Sequence, residues 1–325
     1  MSSTTGSWSF PARLRPKQEE LRFDLEAALQ SIVLLRSEVP DGAFTAGVLG
    51  TERLGHGIVI REDGLVLTIG YLITEAETIW LTTHEGAVVA GHALAHDPVT
   101  GFGLVLPLGH LDAPAMRRGE SLSVAVGDAV TVMGHGGLAH ALDARIVAIR
   151  EFAGYWEYLL ERALFTAPVH PQWAGTALVG QDGQLLGVGS LLVQESAGTR
   201  TQDANMFVPI DLLQPILEEM LTLGRPARAP RPWLGMYTTQ LQGVLVVGGL
   251  TQGGPAQRAG VRLGDVLLEV ADTAVEDLAS MLRKVWSLGP AGAEIPITLL
   301  RGGKTSAVSI HSADRNDFLA KPRRH

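Results

Sequence analysis

The sequence predicts a mainly β protein in two parts, a large all-β domain followed by a smaller α+β domain. Three observations point there. Between residues 32 and 210, short apolar runs alternate with turn residues such as Glu62-Asp63-Gly64, Glu85-Gly86 and Gln181-Asp182-Gly183. That spacing marks short strands packed as barrels or a sandwich. Residues 224–232, G-R-P-A-R-A-P-R-P, form a semi-extended linker that belongs to no core. Beyond it, Leu278, Met281, Leu282, Val285 and Trp286 fall on one helical stripe, the pattern of a core-facing helix.

Composition limits the function classes. A chain of 325 residues is too long for a single core, so two or three domains are expected. With 46% hydrophobic residues, 38 Gly and 17 Pro, it fits a globular β-rich protein rather than a disordered one. A formal net charge of −8 disfavours nucleic acid as a partner, because phosphate binding needs a clustered basic surface. Cysteine is absent, which excludes disulfides, a thiolate nucleophile and cysteine metal sites. The N-terminal stretch lacks the apolar core of about 7–15 residues of a signal peptide. No stretch reaches the ~20 apolar residues of a membrane span. A cytoplasmic location is therefore the expectation.

In chain order, residues 1–16 read as a flexible arm. Leu21, Leu25, Ala28, Leu29 and Ile32 then recur at helical spacing behind Glu19 and Glu20, predicting a helix of about three turns. Strands are expected at 32–36, 57–61, 65–68, 78–83, 103–106, 129–133, 144–150, 163–167, 185–193 and 206–208. Asp211 as N-cap, an apolar face from Leu212 to Leu221 and Gly224 as stop predict a helix closing this domain. The second domain shows strands at 244–247, 266–270 and 295–301, and a short helix at 255–259 stopped by Gly260. The division expected is arm and helix at 1–30, all-β domain at 31–224, linker at 225–232, second domain at 233–312 and a frayed tail at 313–325.

Several short motifs occur in a meaningful order. They are G-H-G-I-V-I at 55–60, D-G-L-V-L-T at 63–68, D-P-V-T at 97–100, H-P-Q-W-A-G-T-A-L-V at 170–179, Q-D-G-Q-L-L-G-V at 181–188 and F-V-P-I-D at 207–211. W-L-G-M at 233–236, G-P-A-Q-R-A-G-V-R-L-G-D-V-L at 254–267 and I-T-L-L-R-G-G-K at 297–304 follow. In this order they resemble the HtrA/Deg serine proteases. The resemblance implies a chymotrypsin-like double β-barrel followed by a PDZ domain. It raises a homotrimer as an assembly, which the sequence does not establish.

The chemistry of that family does not carry over. Where it has the base histidine, the orienting aspartate and the nucleophilic serine, this chain has Tyr71, Gly101 and Ala174. The glycine whose amide helps hold the oxyanion is Gln172, followed by Trp173. No register slip of one or two residues restores a base or an orienting acid, and Thr176 is the only hydroxyl such a slip offers the nucleophile position. The nearest hydroxyls to Ala174 are Thr166 and Thr176, the nearest histidines to Tyr71 are His56 and His84, and Asp97 belongs to the D-P motif itself. Alanine offers no nucleophile, and a hydroxyl attacks only when an oriented base takes its proton. No catalytic residue is therefore assigned, and the enzyme reading leans negative. The alternative is an active serine-type endopeptidase with an unrecognised nucleophile, for which Thr176 with His170 is the conceivable pair.

Bland readings stand beside the sharper ones. Thr176 reads more simply as a strand residue, and Trp173 either plugs the former substrate pocket or fills core space. His135 and His140 flank a glycine pair, and His92 and His96 lie four apart. Alternation over 89–94 places the latter two on a strand, roughly 13 Å apart, so neither a metal site nor a cofactor is expected. The resemblance to PDZ domains implies capture of a peptide or protein C-terminus by strand addition. The carboxylate loop would be Trp233, Leu234, Gly235 and Met236, and the groove would lie between the strand from Met236 and a helix at 277–286. A purely structural assembly protein is the third reading.

Overall fold

The computed structural model describes residues 8–197 and 200–320. It divides into two compact units, each with its own core. The first holds the described residues of 8–150 and 162–226, with Ala320. The second holds Glu151–Glu161 and Ala227–Leu319.

The first unit is built from two closed barrels. One consists of β1 (Ile32–Glu38), β2 (Glu52–Val59), β3 (Val66–Ile69), β4 (Thr78–Thr82), β5 (Val88–His96) and β6 (Phe102–Pro107), in the order β1-β2-β3-β6-β5-β4. The other consists of β7 (Ala129–Met133), β8 (Ala141–Gly154), β9 (Tyr158–Ala167), β10 (Ala177–Val179), β11 (Leu185–Ala197) and β12 (Arg200–Pro209), in the order β10-β11-β12-β9-β8-β7. Closure leaves no free strand edge. In β1, Ile32, Val33, Leu35 and Ser37 are buried while Arg36 and Glu38 face water, the two-residue alternation that sets strand register. Val130, Val132, Leu142, Leu164, Leu178 and Phe207 fill the second barrel.

Several local expectations need correction. The arm is not free over its described part: Phe10 is buried in the second barrel's core, and its N–H donates to the Ala139 carbonyl at 2.9 Å. Burying one such aromatic contributes about 2 kcal/mol, and Trp8 and Leu14 pack against the same core. The expectation for residues 1–7 lies outside the described residues. The three-turn helix shrinks to a 3-10 turn at Gln18–Glu20 and α1 (Leu25–Leu29), capped by the Asp24 carboxylate on the Ala27 N–H. A four-residue helix, α2 (Ala46–Leu49), had no sequence signal. The helix after Asp211 is divided into a 3-10 turn at Ile210–Leu212 and α3 (Leu217–Leu223), which ends at left-handed Gly224. The pair β8 and β9 runs well past the expected 144–150 and 163–167, and its tip belongs to the second unit.

The second unit is a sheet of β13 (Met236–Leu241), β14 (Val244–Leu250), β15 (Val266–Val270), β17 (Glu294–Arg301) and β18 (Lys304–His311) in that order, with β16 (Thr273–Ala274) beside β15. α4 (Pro255–Arg258) and α5 (Leu278–Ser287) cover it. Asp277 and Ser280 form a capping box at the start of α5, and Ala279, Met281, Leu282 and Val285 are its buried face. The described tail is ordered against this unit, since Trp233 and Ala313 exchange backbone hydrogen bonds of 3.0 Å and Phe318 packs on the Trp233 ring. Residues 321–325 lie outside the described residues.

Candidate functional site

Two places carry chemistry, one in each unit. In the first, the loop between β9 and β10 presents Ala174. Backbone hydrogen bonds clamp it: the His56 N–H donates to the Ala174 carbonyl, Gly175 N–H to the Gly189 carbonyl and Gly189 N–H to the Thr176 carbonyl, each at 2.8 Å. Gly175 has a φ of +76°, and a β-carbon there would lie 1.9 Å from the His56 carbonyl oxygen. Only glycine fits that approach.

Tyr71 sits on the 3-10 turn Gly70–Leu72 after β3, and Gly70 N–H donates to the Gly101 carbonyl at 2.6 Å. This turn brings positions 71 and 101 together from distant parts of the first barrel. The Tyr71 hydroxyl donates to the Ser190 carbonyl at 2.7 Å, and burial pushes the phenol's pKa well above its ordinary value. Tyr71, Gln172, Trp173 and Ala174, with His56 and Arg53, line a cavity of about 360 Å³. Trp173 is half-buried and forms part of its wall. Arg53 is buried and spends its guanidinium on the Tyr71 and Thr74 carbonyls and the Thr45 hydroxyl.

Two histidines lie behind this loop, and both are saturated. His56 Nδ1 accepts from the His135 N–H at 3.0 Å, which leaves Nε2–H to donate to the Gln172 carbonyl at 3.1 Å. His170 Nδ1 accepts from the Gln172 N–H at 3.2 Å, and Nε2–H donates to the His140 carbonyl at 3.1 Å. The two rings are 5.9 Å apart at nearly right angles. Burial, and the neighbouring histidines, hold His56 down to about 3; burial holds His170 down to about 4. Both are therefore neutral at pH 7, with their ring lone pairs occupied. Thr176 is fully buried and its hydroxyl donates to the Trp173 carbonyl at 2.9 Å. It precedes β10 rather than lying within it.

His92 and His96 do lie on one strand, β5, with a bulge between Ala93 and Ala95. Among the described residues, no group of three or more His, Asp or Glu is arranged to hold a metal ion.

The second place is the turn before β13. Leu234, Gly235 and Met236 point their N–H groups at a single carboxylate, that of Glu157 from the tip of the β8–β9 hairpin. Oε1 accepts from the three amides at 3.1, 2.8 and 3.2 Å, and Oε2 accepts from Leu234 at 3.0 Å. Gly235, at φ +67°, provides the turn that aligns them. Trp233 contributes no amide, because its own N–H donates to Ala313. Burial pushes the Glu157 carboxyl up to about 7, against the pull of the amides and of Arg315. Glu157 belongs to none of the sequence motifs. Its one sequence signal is the aromatic tip Phe152, Tyr155, Trp156 and Tyr158, unusual for a solvated turn.

Comparison with known proteins fits both halves. Residues 55–188 match the family model described as a trypsin-like peptidase domain, and residues 232–311 match that of a PDZ domain. A probable periplasmic serine endoprotease DegP-like from Halomonas elongata is 24% identical over 278 residues, covering 81% of this chain and 57% of that protein. The serine endoprotease DegS from Haemophilus influenzae is 22% identical over 269 residues, covering 81% and 77%. The chain thus spans little more than half the length of the DegP-like relative. Among solved structures, the HtrA-type protease AlgW with tripeptide superposes with a TM-score of 0.53 at 21% identity, covering 92% of this chain and 97% of that one. A serine endoprotease from Yersinia pestis gives 0.51 at 22% identity, covering 91% and 99%. These two carry the fold. The expectation of a cytoplasmic location does not stand, because DegP-like relatives are periplasmic enzymes by name. No helix among the described residues is long and apolar enough to cross a membrane.

Proposed function

We propose that this chain, which has the HtrA-type architecture of a trypsin-like peptidase domain followed by a PDZ domain and is homologous to the DegP and DegS proteases, binds peptide or protein C-termini without cleaving them. The observation that carries the non-catalytic half is the engagement of the Gln172 amide by His170 Nδ1. The amide in the oxyanion position is turned into the protein, next to a nucleophile seat holding Ala174. Peptide hydrolysis needs a nucleophile, a base with a free lone pair and donors aimed at the developing oxyanion. Tyr71 is a buried phenol donating to Ser190, position 101 has no side chain, and His56 and His170 are saturated.

The binding half rests on the converging amides of Leu234, Gly235 and Met236 beside β13, an end strand of its sheet, with α5 across the groove. Such a nest suits a terminal carboxylate, and the free edge suits an added strand. By analogy with the DegP-like relatives, the protein acts in the periplasm, and a homotrimer is its assembly in this reading. Light scattering of the purified chain tests the assembly.

Fluorophosphonate labelling and digestion of an unfolded protein substrate test the reading as a whole. The expected result is no covalent label and no cleavage. Labelling of any residue of the first unit would overturn it.

A further inference from the structure

The amide nest of the second unit is already filled. We propose that the tip of the β8–β9 hairpin is an internal ligand for this nest, with Glu157 standing in for a peptide's terminal carboxylate, so that a C-terminus binds only by displacing it. The inference rests on the peptide-binding reading above and adds its control.

The tip is held from both walls of the groove. Arg283, on α5, forms ion pairs with both Glu151 and Glu161, the two stems of the tip. The Tyr155 ring meets Tyr237 of β13 edge-on, with centroids 6.2 Å apart. Leu159 is buried in the core cluster that includes Leu234, Met236, Met281 and Leu282. One short segment therefore offers a carboxylate to the nest and an apolar side chain to the core beneath it, the same pair of groups that a peptide ending in an apolar residue would bring. Glu157 has a φ of +63°, a left-handed conformation costing an L-residue about 1–2 kcal/mol. A glycine or asparagine would turn there at less cost, and neither would deliver a carboxylate. The sheet edge itself stays available: among the described residues β13 pairs only with β14. The tip thus occupies the carboxylate position and leaves the strand position open.

A tethered ligand competes at an effective concentration on the order of millimolar. Apparent affinity for a free peptide falls by the fraction of time the nest is open. If the nest is open about a tenth of the time, the apparent Kd rises about tenfold.

The test uses the full chain and a pool of fluorescein-labelled decapeptides ending in Leu, Val or Phe. One pool carries the free carboxylate and a control pool is amidated. Binding is read by anisotropy, and backbone amide exchange is followed at residues 234–236. The expected result is that Glu157→Ala binds the carboxylate pool at least about tenfold tighter than the unaltered chain, with the amidated pool binding neither. Glu157→Gln, which keeps the side-chain shape, and Arg283→Ala, which loosens the stems, shift binding the same way by smaller factors. Exchange at 234–236 accelerates in Glu157→Ala and slows again on adding the carboxylate pool. Equal affinity in all four proteins, with unchanged exchange at 234–236, would refute the internal ligand and leave peptide binding standing. Accelerated exchange in Glu157→Ala with no peptide bound by any protein would remove the peptide-binding reading, and this inference with it.

Discussion

The Tyr71 hydroxyl donates to the Ser190 carbonyl oxygen at 2.7 Å, tying the turn after β3 in the first barrel to β11 in the second. Ser190 lies at a bulge, where the β11–β12 register shifts between Gly189 and Leu191. A buried phenol held in this way is a structural crosslink and a donor, with no basic lone pair to offer at neutral pH. Tyr71→Phe leaves the Ser190 carbonyl without this donor. It is expected to lower stability by about 1–2 kcal/mol, read as a lower urea midpoint at unchanged slope.

In the proposed reading, a hydroxyl placed at position 174 finds no base to activate it. Ala174→Ser is expected to remain unlabelled by fluorophosphonate, because the His56 and His170 lone pairs already accept backbone amides. Rapid labelling of that variant would reveal a base that these hydrogen bonds do not leave free.

The buried histidines make stability depend on acid. His56 is held down to about 3 and His170 to about 4, both chiefly by burial, from an ordinary 6.5. Below about pH 6.5 the unfolded chain takes up protons that the folded chain refuses. The stability they contribute is therefore complete above 6.5 and drains as pH falls toward 4 for His170 and 3 for His56. Each group adds at most about 1.4 kcal/mol per pH unit to the slope. Unfolding midpoints measured from pH 7.5 to 4.5 should fall accordingly, and His56→Asn should flatten the decline.

Gly235 is the point in the nest where a side chain is least tolerated. At φ +67°, an added β-carbon would lie 3.0 Å from the Trp233 ring and 3.2 Å from Thr251 Cβ. Gly235→Ala is expected to destabilise the second unit by about 1–2 kcal/mol and to weaken carboxylate binding through misaligned amides. Calorimetry and the peptide assay above read the two effects separately.

Local patterns made most of the architecture legible. Two-residue alternation in β1, the helical stripe of α5 and the Asp277 cap are short-range signals that act before any tertiary contact forms. The alanine at position 174 was plain in the sequence, since a residue type needs no geometry to be recognised. The arm, the helix before β1 and the tip of β8–β9 misled because their state depends on partners far along the chain. Phe10 orders the arm only through the second barrel's core, and the helical spacing of 21–32 yields to β1 once Ile32 pairs with Ile58.

By itself, the sequence determined the β-rich class, the succession of a peptidase-like and a PDZ-like part and the residue types at positions 71, 101, 172 and 174, because those depend on spacing and side-chain chemistry. Tertiary structure alone decided that the Gln172 amide faces His170, that the Tyr71 hydroxyl reaches Ser190 and that Glu157 lies in the nest of Leu234, Gly235 and Met236. Glu157 and Gly235 are 78 positions apart. Their contact is set by where folded strands deliver a turn, and no local pattern encodes that.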